Sequence, residues 1–116
     1  FSCTGAKVRF LHNDAEGLIT AKFLKEMGVN LFNFSFNHSL GEIRELAGDD
    51  VVLLGNIPPR DVLAAGTAEQ VREAVRKASG ETDNHDRIIW SAGGGMAQDV
   101  STENIRAFVE AVKEIK

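Results

Sequence analysis

Residues 51–79 read VVLLGNIPPRDVLAAGTAEQVREAVRKAS, and this stretch decides the fold class. The apolar run Val51–Leu54 predicts a β-strand, and residues 55–59 (GNIPP) close it with turn-forming residue types. Thr67 and Gln70 have the spacing of a helix-capping box. Apolar residues then recur at i, i+3, i+4 and i+7, the stripe of an amphipathic helix: Val71, Ala74, Val75 and Ala78. The stretch therefore predicts one strand followed by one helix.

The same pattern of a strand and then a helix occurs on both sides of this stretch. The other predicted strands are Lys7–Leu11 (KVRFL), Leu31–Phe36 (LFNFSF) and Arg87–Ala92 (RIIWSA). The other predicted helical segments are Ala15–Met27, a short helix that Ser39 and Glu42 cap and that ends near Gly48, a short piece from Arg60 to Ala65, and a last helix capped by Ser101 or Thr102. The apolar stripes of the first and last helices are predicted to be core: Leu18, Ile19, Phe23, Leu24 and Met27 in the first, and Ile105, Phe108, Val109, Val112 and Ile115 in the last.

Four consecutive strand-helix units predict an α/β fold with a parallel sheet, because parallel neighbours need a crossover connection. An open doubly wound sheet and a (β/α)8 barrel both satisfy this pattern. No linker divides residues 1–116, so we expect a single domain. Four units fill half of a barrel, and alone they would leave two open strand edges and an apolar inner surface. We therefore expect another segment or a second copy of the chain to cover them.

The composition argues against several classes of protein. A hydrophobic fraction of 43% is enough for a core, and a formal net charge of −4 argues against a nucleic-acid partner, which would require a basic surface. No stretch approaches the roughly 18 apolar residues of a membrane span, so we expect no membrane association. Cys3 is the only cysteine, which rules out an internal disulfide and fits a reducing, cytoplasmic location. Because the chain begins with Phe1 rather than Met, we expect it to be a piece of a longer protein.

Two groups of residues carry a resemblance to a known family. They are Gly55-Asn56-Ile57-Pro58-Pro59 with Val62-Leu63 and Gly66-Thr67, and later Ala92-Gly93-Gly94-Gly95-Met96 with Gln98-Asp99-Val100 and Glu103-Asn104. In this order they resemble the uroporphyrinogen decarboxylase superfamily, which holds the haem-pathway decarboxylases of porphyrin biosynthesis and the methyltransferases that move methyl groups between corrinoids and thiols. The resemblance covers nearly the whole chain. It implies a (β/α)8 TIM-type barrel of which this chain is roughly the last four units, with the N-terminal half of the barrel missing.

His12 and Asp14 follow the first predicted strand, at the end of a barrel where catalytic groups lie. An imidazole and a carboxylate two residues apart can reach one zinc ion, and a zinc-bound thiol is deprotonated. This pair resembles the methyltransferase branch, which has a His-x-Cys or similar pair after this strand. The alternative is that Asp14 caps the following helix and His12 forms an ordinary hydrogen bond nearby.

The glycines Gly93, Gly94 and Gly95 follow the fourth predicted strand. Such glycines let backbone amides approach an anionic group of a substrate, or they form a tight turn that needs a positive φ. The resemblance implies a histidine (decarboxylases) or a cysteine (methyltransferases) between two glycines here, and this chain has Gly94 instead. Neither branch's signature is therefore complete.

Asn56 and His38 are the other candidate substrate-binding residues. Asn56 ends the third predicted strand, where its amide either contacts a substrate edge or pins the turn. The family usually has an aspartate two residues later, and this chain has Pro58 there. His38 follows the second strand and either faces the pocket or is an ordinary surface residue.

The resemblance leads to three hypotheses about function. The favoured one is that the full-length protein is a methyltransferase that uses zinc to transfer methyl groups between a corrinoid and a thiol, with a corrinoid, free or on a protein, as its partner. The second is a decarboxylase (a lyase) that acts on uroporphyrinogen, a tetrapyrrole, without a cofactor. The third is a non-catalytic half-barrel module. No catalytic residue is assigned, because the family's arginine-rich substrate clamp comes from the first half of the barrel, and the four arginines considered as substitutes belong to helices or their starts: Arg44, Arg60, Arg72 and Arg76.

Overall fold

The computed structural model describes residues 5–13 and 18–115, and these form four strands that each precede a helix. The strands are β1 (Phe10–His12), β2 (Leu31–Asn33), β3 (Val52–Ile57) and β4 (Ile88–Ala92). The helices are α1 (Leu18–Met27), α2 (Leu40–Ala47), α3 (Ala68–Ser79) and α4 (Thr102–Lys113), and a single wide helical turn (Pro59–Ala64) lies between β3 and α3.

The four strands form one parallel sheet in the order β1-β2-β3-β4. A doubly wound sheet reverses its strand order at a switch point, and this order never reverses. Because successive right-handed crossovers in one direction place every helix on the same face of the sheet, the helices pack side by side, α1 against α2 and α3 against α4. The fold is therefore the α/β half-barrel, the alternative that the family resemblance implied.

The core lies between the sheet and the helix layer. Phe32 of β2 and its register partner Leu53 of β3 are fully buried, and Phe32 stacks on Phe34 with ring centroids 5.8 Å apart. The helices contribute Leu24, Ile43, Val71 and Val75, which are also fully buried. Because side chains alternate between the two faces of a strand, the residues next to Phe32 and Leu53 lie on the opposite, inner face of the half-barrel.

The inner face and the two lateral helices remain open, as four units alone require. Phe10 and Ile89 are exposed large apolar residues on the inner face. The prediction that the stripes of the first and last helices are core was partly wrong. Ile19 is 73% exposed and Phe23 is 47% exposed, and the remaining exposed members are Met27, Ile105 and Val109. The reason is geometric, because α1 and α4 each have a neighbouring helix on one side only.

Side chains cap the first turns of α2, α3 and α4. The Thr67–Gln70 capping box is present in both directions. Ser101, rather than Thr102, caps α4 by accepting a hydrogen bond from the backbone of Asn104. Ser39 likewise caps α2 by accepting from Glu42 N.

The strand boundaries differ from the predicted ones by a few residues. β1 begins at Phe10 rather than Lys7, and β2 ends at Asn33 rather than Phe36. β3 extends past Leu54 to Ile57, because β4 continues to pair with it as far as the register pair Ile57–Ala92. No helix within the described ranges combines the length and the apolar character needed to cross a membrane.

Candidate functional site

The predicted site residues that the structure describes lie around one rim, the edge where the four parallel strands end. His12 is the last residue of β1, Asn56 is near the end of β3, and Gly93 follows β4. The rim is closed between the last two strands by a hydrogen bond from Gly93 N to Ile57 O of 2.9 Å. This edge is where barrel enzymes carry their chemistry.

A buried asparagine holds His12 in place. Asn33 is the register partner of His12 on the neighbouring strand and is only 2% exposed. Its Oδ1 lies 2.6 Å from His12 Nδ1. Its Nδ2 donates to Leu54 O at 2.7 Å and to Ala92 O at 3.3 Å. One side chain thus connects residues of all four strands.

This network fixes the tautomer of the His12 ring. Carbonyl oxygens only accept hydrogen bonds, so the Asn33 NH2 group must face Leu54 and Ala92, and its Oδ1 must face the imidazole. Because Oδ1 also only accepts, Nδ1 of His12 carries the proton. In the neutral ring Nε2 then carries the lone pair, and this nitrogen can bind a metal or accept a proton.

The structure describes one of the two predicted zinc ligands. His12 provides one imidazole, while Asp14 lies outside the described residues. Gly94 brings no donor to the place where the family has a histidine or a cysteine. Among residues 5–13 and 18–115 there is no group of three histidine, cysteine or acidic side chains that could hold a metal ion. A complete zinc site would therefore need ligands from beyond these residues.

The three glycines after β4 have different local surroundings. A Cβ on Gly93 would lie 2.7 Å from Phe36 N, so only glycine allows this close approach of the two loops. Gly94 has a φ of 96°, in the region that favours glycine. A Cβ on Gly95 would meet nothing within 4 Å, so this residue borders open space. The tight turn at Gly94 and the room for a ligand beside Gly95 are both present.

Asn56 and His38 are joined to each other. Asn56 is buried, and its Nδ2 donates to the backbone oxygen of His38 at 2.6 Å, so this nitrogen pins the loop after β2 to the end of β3. The His38 ring is mostly buried, with Nδ1 3.4 Å from a carboxylate oxygen of Glu42 on α2. Its Nε2 is buried and has no hydrogen-bond partner among residues 5–13 and 18–115. His38 therefore packs within the loop after β2 rather than extending freely from the surface.

A cavity of about 1040 Å³ opens at the rim between the loops that follow β2, β3 and β4. Ser35, Arg60, Gln98 and Gly95 are among the residues that line it. Arg60 belongs to the wide turn after β3, in which Leu63 N and Ala65 N donate to oxygens five residues earlier, at Pro58 and Arg60. Single turns of this π-type recur at functional sites.

Sequence reasoning did not identify Asn33 or Arg60 as site residues. Asn33 interrupts the apolar run LFNFSF, and a lone amide in a predicted strand was the available signal. The residue pattern predicts an ordinary helix start at Arg60 and so gives it no role in the site. The structure instead places it on the lining of the rim cavity.

Comparison with known proteins gives the following relatives. Residues 4–115 match the sequence model of the family described as uroporphyrinogen decarboxylase (URO-D). A uroporphyrinogen decarboxylase from Dichelobacter nodosus is 30% identical over 91 residues, which cover 78% of this chain and 26% of the relative. Another, from Alcanivorax borkumensis, is 26% identical over 111 residues, covering 96% of this chain and 31% of the relative. The chain thus spans about a quarter to a third of the length of these curated relatives.

A solved structure has the same fold. A methyltransferase from Methanosarcina mazei superposes with a TM-score of 0.83 and covers 97% of this chain and 33% of that one. The sequence identity is 20%, so this likeness concerns the fold alone.

Proposed function

Because the chain belongs to the uroporphyrinogen decarboxylase family, we propose that it forms the C-terminal half of a barrel enzyme that binds a tetrapyrrole or corrinoid at the strand-end rim. The favoured chemistry is zinc-assisted transfer of a methyl group between a corrinoid and a thiol. The observation that carries this choice is the hydrogen bond of 2.6 Å between His12 Nδ1 and Asn33 Oδ1.

Metal-binding histidines usually donate their other ring N–H to a fixed acceptor, which sets the tautomer and the ring orientation. His12 has such an acceptor in Asn33, and Asn33 is itself held by two backbone carbonyls. We propose His12 and Asp14 as zinc ligands, with further ligands from beyond the described residues. Zinc would supply a lowered thiol pKa, so that the thiol is a thiolate at neutral pH. His12 would contribute Nε2, and Asn33 would keep it in the metal-binding form.

The zinc content of the intact, full-length protein tests this proposal. We expect metal analysis to find zinc in the wild type and little in His12→Ala. His85→Ala is the matched control and should leave the zinc content unchanged. His85 lies before β4, at the other end of the sheet, where its ring contacts Ser79 O and Trp90. An intact wild-type protein without zinc, or a His12→Ala protein that keeps it, would contradict the proposal.

Asn33→Ala tests the role of the orienting residue separately. Loss of such a partner typically lowers metal affinity by about 10- to 100-fold. We therefore expect Asn33→Ala to bind zinc that a competing chelator removes at lower concentration than from the wild type. An unchanged chelator midpoint would show that Asn33 does not act through His12.

Decarboxylation of uroporphyrinogen is the second candidate function, because the curated relatives at 26–31% identity carry that name. This reaction needs groups that hold the substrate carboxylates and stabilise or protonate the pyrrole intermediate, and it needs no metal. Turnover of uroporphyrinogen by the intact protein, unchanged after treatment with a chelator, would support it. Inactivity of the intact protein towards uroporphyrinogen would rule it out.

The open surfaces support a missing partner half. Exposed apolar side chains line the outer sides of both lateral helices, with Ile19 and Phe23 on α1 and Ile105 and Val109 on α4. Phe10 and Ile89 are exposed on the inner face of the sheet. We propose that the N-terminal half of the same barrel covers all three surfaces. The isolated chain would then have no catalytic activity.

Sedimentation of the isolated chain tests whether a second copy takes that place. We expect self-association that weakens when Phe23 and Val109 are both replaced by lysine, because both side chains lie on the lateral helices. Replacing the exposed Glu26 and Glu114 by lysine is the control, since it adds positive charge at the ends of the same helices without removing apolar surface. A monodisperse wild-type monomer would exclude pairing between copies and also the non-catalytic half-barrel dimer.

A further inference from the structure

We propose that Arg60, together with Ser35, forms a subsite at the rim that binds one carboxylate substituent of the substrate. The inference rests on the second candidate function, in which the intact protein binds uroporphyrinogen. It adds two residues of this chain to the recognition of substrate carboxylates, since the resemblance implies a clamp from the other half of the barrel.

The cavity places a cation where a substrate would lie. Its volume of about 1040 Å³ has room for a large substituted ring or a substantial part of one. Its walls come from the loops after three neighbouring strands, so a ligand there would contact β2, β3 and β4 together. Arg60, a cationic residue, is among the residues of this lining.

Arg60 is not used to stabilise the described part of the fold. Arg72 and Arg76 of α3 form ion pairs with glutamates on the helix layer. Arg9 and Arg44 donate to backbone carbonyls. Within residues 5–13 and 18–115, the guanidinium of Arg60 has no hydrogen bond and no carboxylate within 4.0 Å. Its five donors are therefore available, in a planar fork that matches a carboxylate.

Ser35 supplies a second donor to the same cavity. The residue is only 5% exposed, and its Oγ accepts a hydrogen bond from Asn37 N at 3.3 Å. Among the described residues, no acceptor takes the hydroxyl proton of Ser35. The hydroxyl can therefore donate into the cavity while the loop amide holds its oxygen.

Gly95 keeps this part of the cavity open. A Cβ there would meet nothing within 4 Å, in contrast to Gly93, where Phe36 lies in contact distance. A ligand group can thus approach the backbone after β4 beside Gly95. Asp61 also lines the cavity, and its carboxylate opposes the binding of an anion. Neutralising Arg60 and neutralising Asp61 should therefore change the binding of an anion in opposite directions, and this difference tests the subsite.

The test is a fluorescence titration of the intact protein with uroporphyrin, a tetrapyrrole whose peripheral side chains end in carboxylates. We expect Arg60→Gln to weaken binding by about 10- to 100-fold, the usual effect of losing a charged hydrogen-bonded partner. Asp61→Asn should tighten binding, because it removes the like charge, and Gly95→Val should weaken it by filling the cavity. Arg76→Gln makes the same change of charge on the helix layer and should bind as the wild type does.

The outcomes separate this inference from the proposed function. If the wild type binds uroporphyrin and Arg60→Gln binds it equally well, the subsite is wrong while tetrapyrrole binding stands. If Asp61→Asn does not tighten binding, the subsite is also wrong. If the wild type does not bind uroporphyrin at all, this inference fails together with the decarboxylase candidate, while the zinc proposal is decided separately by metal analysis of His12→Ala. Circular dichroism of each variant checks that a change in uroporphyrin binding is not caused by unfolding.

Discussion

The side-chain amide of Asn104 donates to the backbone oxygen of Gly66 over 2.7 Å. The same Nδ2 donates to Leu63 O over 2.9 Å, and Asn104 is almost completely buried. The first turn of α4 is thereby fastened to the turn that precedes α3. The asparagine of the motif that carried part of the family resemblance thus has a structural role in this chain.

Asn104→Ala should lower the free energy of unfolding by about 1–3 kcal/mol, because it leaves the buried oxygen of Leu63 and the partly buried oxygen of Gly66 without their donor. Urea denaturation measures the change. Asn37→Ala is the control, since Asn37 is exposed and its side chain forms no hydrogen bond with any described residue. Equal stability of the two variants would contradict the structural role of Asn104.

Ser101→Ala and Thr102→Ala form a matched pair at the start of α4. Ser101 Oγ accepts from Asn104 N at 3.1 Å, whereas Thr102 is the first residue of the helix. Loss of an N-cap side chain typically costs about 1 kcal/mol. We expect Ser101→Ala to lose about this amount in a denaturant titration and Thr102→Ala to change little, and the reverse order would show that Thr102 is the cap.

Gly66→Ala should be among the most destabilising single substitutions in the chain. A Cβ on Gly66 would overlap the backbone oxygen of Val62, and Gly66 N donates to that same oxygen. Relieving this overlap would shift the turn and cost about 1–3 kcal/mol or more. Gly80→Ala is the control, because its Cβ would meet only Lys77 O at 3.5 Å and Arg76 O at 3.7 Å. Thermal unfolding of both variants distinguishes the two cases.

Arg44→Lys should destabilise the opposite, strand-start end of the sheet. The guanidinium donates to the backbone oxygens of Val51 at 2.6 Å, Gly48 at 3.0 Å and Arg87 at 3.0 Å. Burial lowers the pKa of Arg44 while Asp49 raises it, and the group stays charged at neutral pH.

A lysine ammonium keeps the charge of Arg44 but cannot reach three carbonyls that lie after α2, before β3 and before β4. We therefore expect Arg44→Lys to lose about 1–3 kcal/mol of stability in urea titrations. Arg87→Lys is the control, because no described residue accepts a hydrogen bond from the Arg87 side chain. A loss in Arg87→Lys as large as that in Arg44→Lys would mean that general electrostatics, rather than the fork of Arg44, is responsible.

The sequence was sufficient to predict the alternation of strands and helices and the parallel sheet, because each unit has its own periodicity and caps. Thr67 and Gln70 are one example, since a capping box is a local signal that needs no knowledge of the rest of the chain. The exposure of Ile19 and Phe23 could not be predicted in this way. Their spacing indicates which side of the helix is apolar, but their exposure depends on whether a neighbouring helix is present.

The site was only partly predictable for a similar reason. His12 could be proposed from its place after a strand, yet the residue that orients it lies 21 positions along the chain. Asn33 gains its role from the register of β1 with β2, which brings the two residues side by side. Arg60 required the wide turn after β3, a local geometry that residue types alone do not specify.

The sequential strand order also bears on how such a chain can be duplicated. In each unit the helix runs back against its strand, so α4 ends at the same end of the sheet at which β1 begins. Two copies joined head to tail by a short linker would continue the same strand order from β4 of the first into β1 of the second. A tandem gene fusion would thus yield eight strands in one chain with unchanged connectivity. Such an internal duplication is open both to design and to evolution.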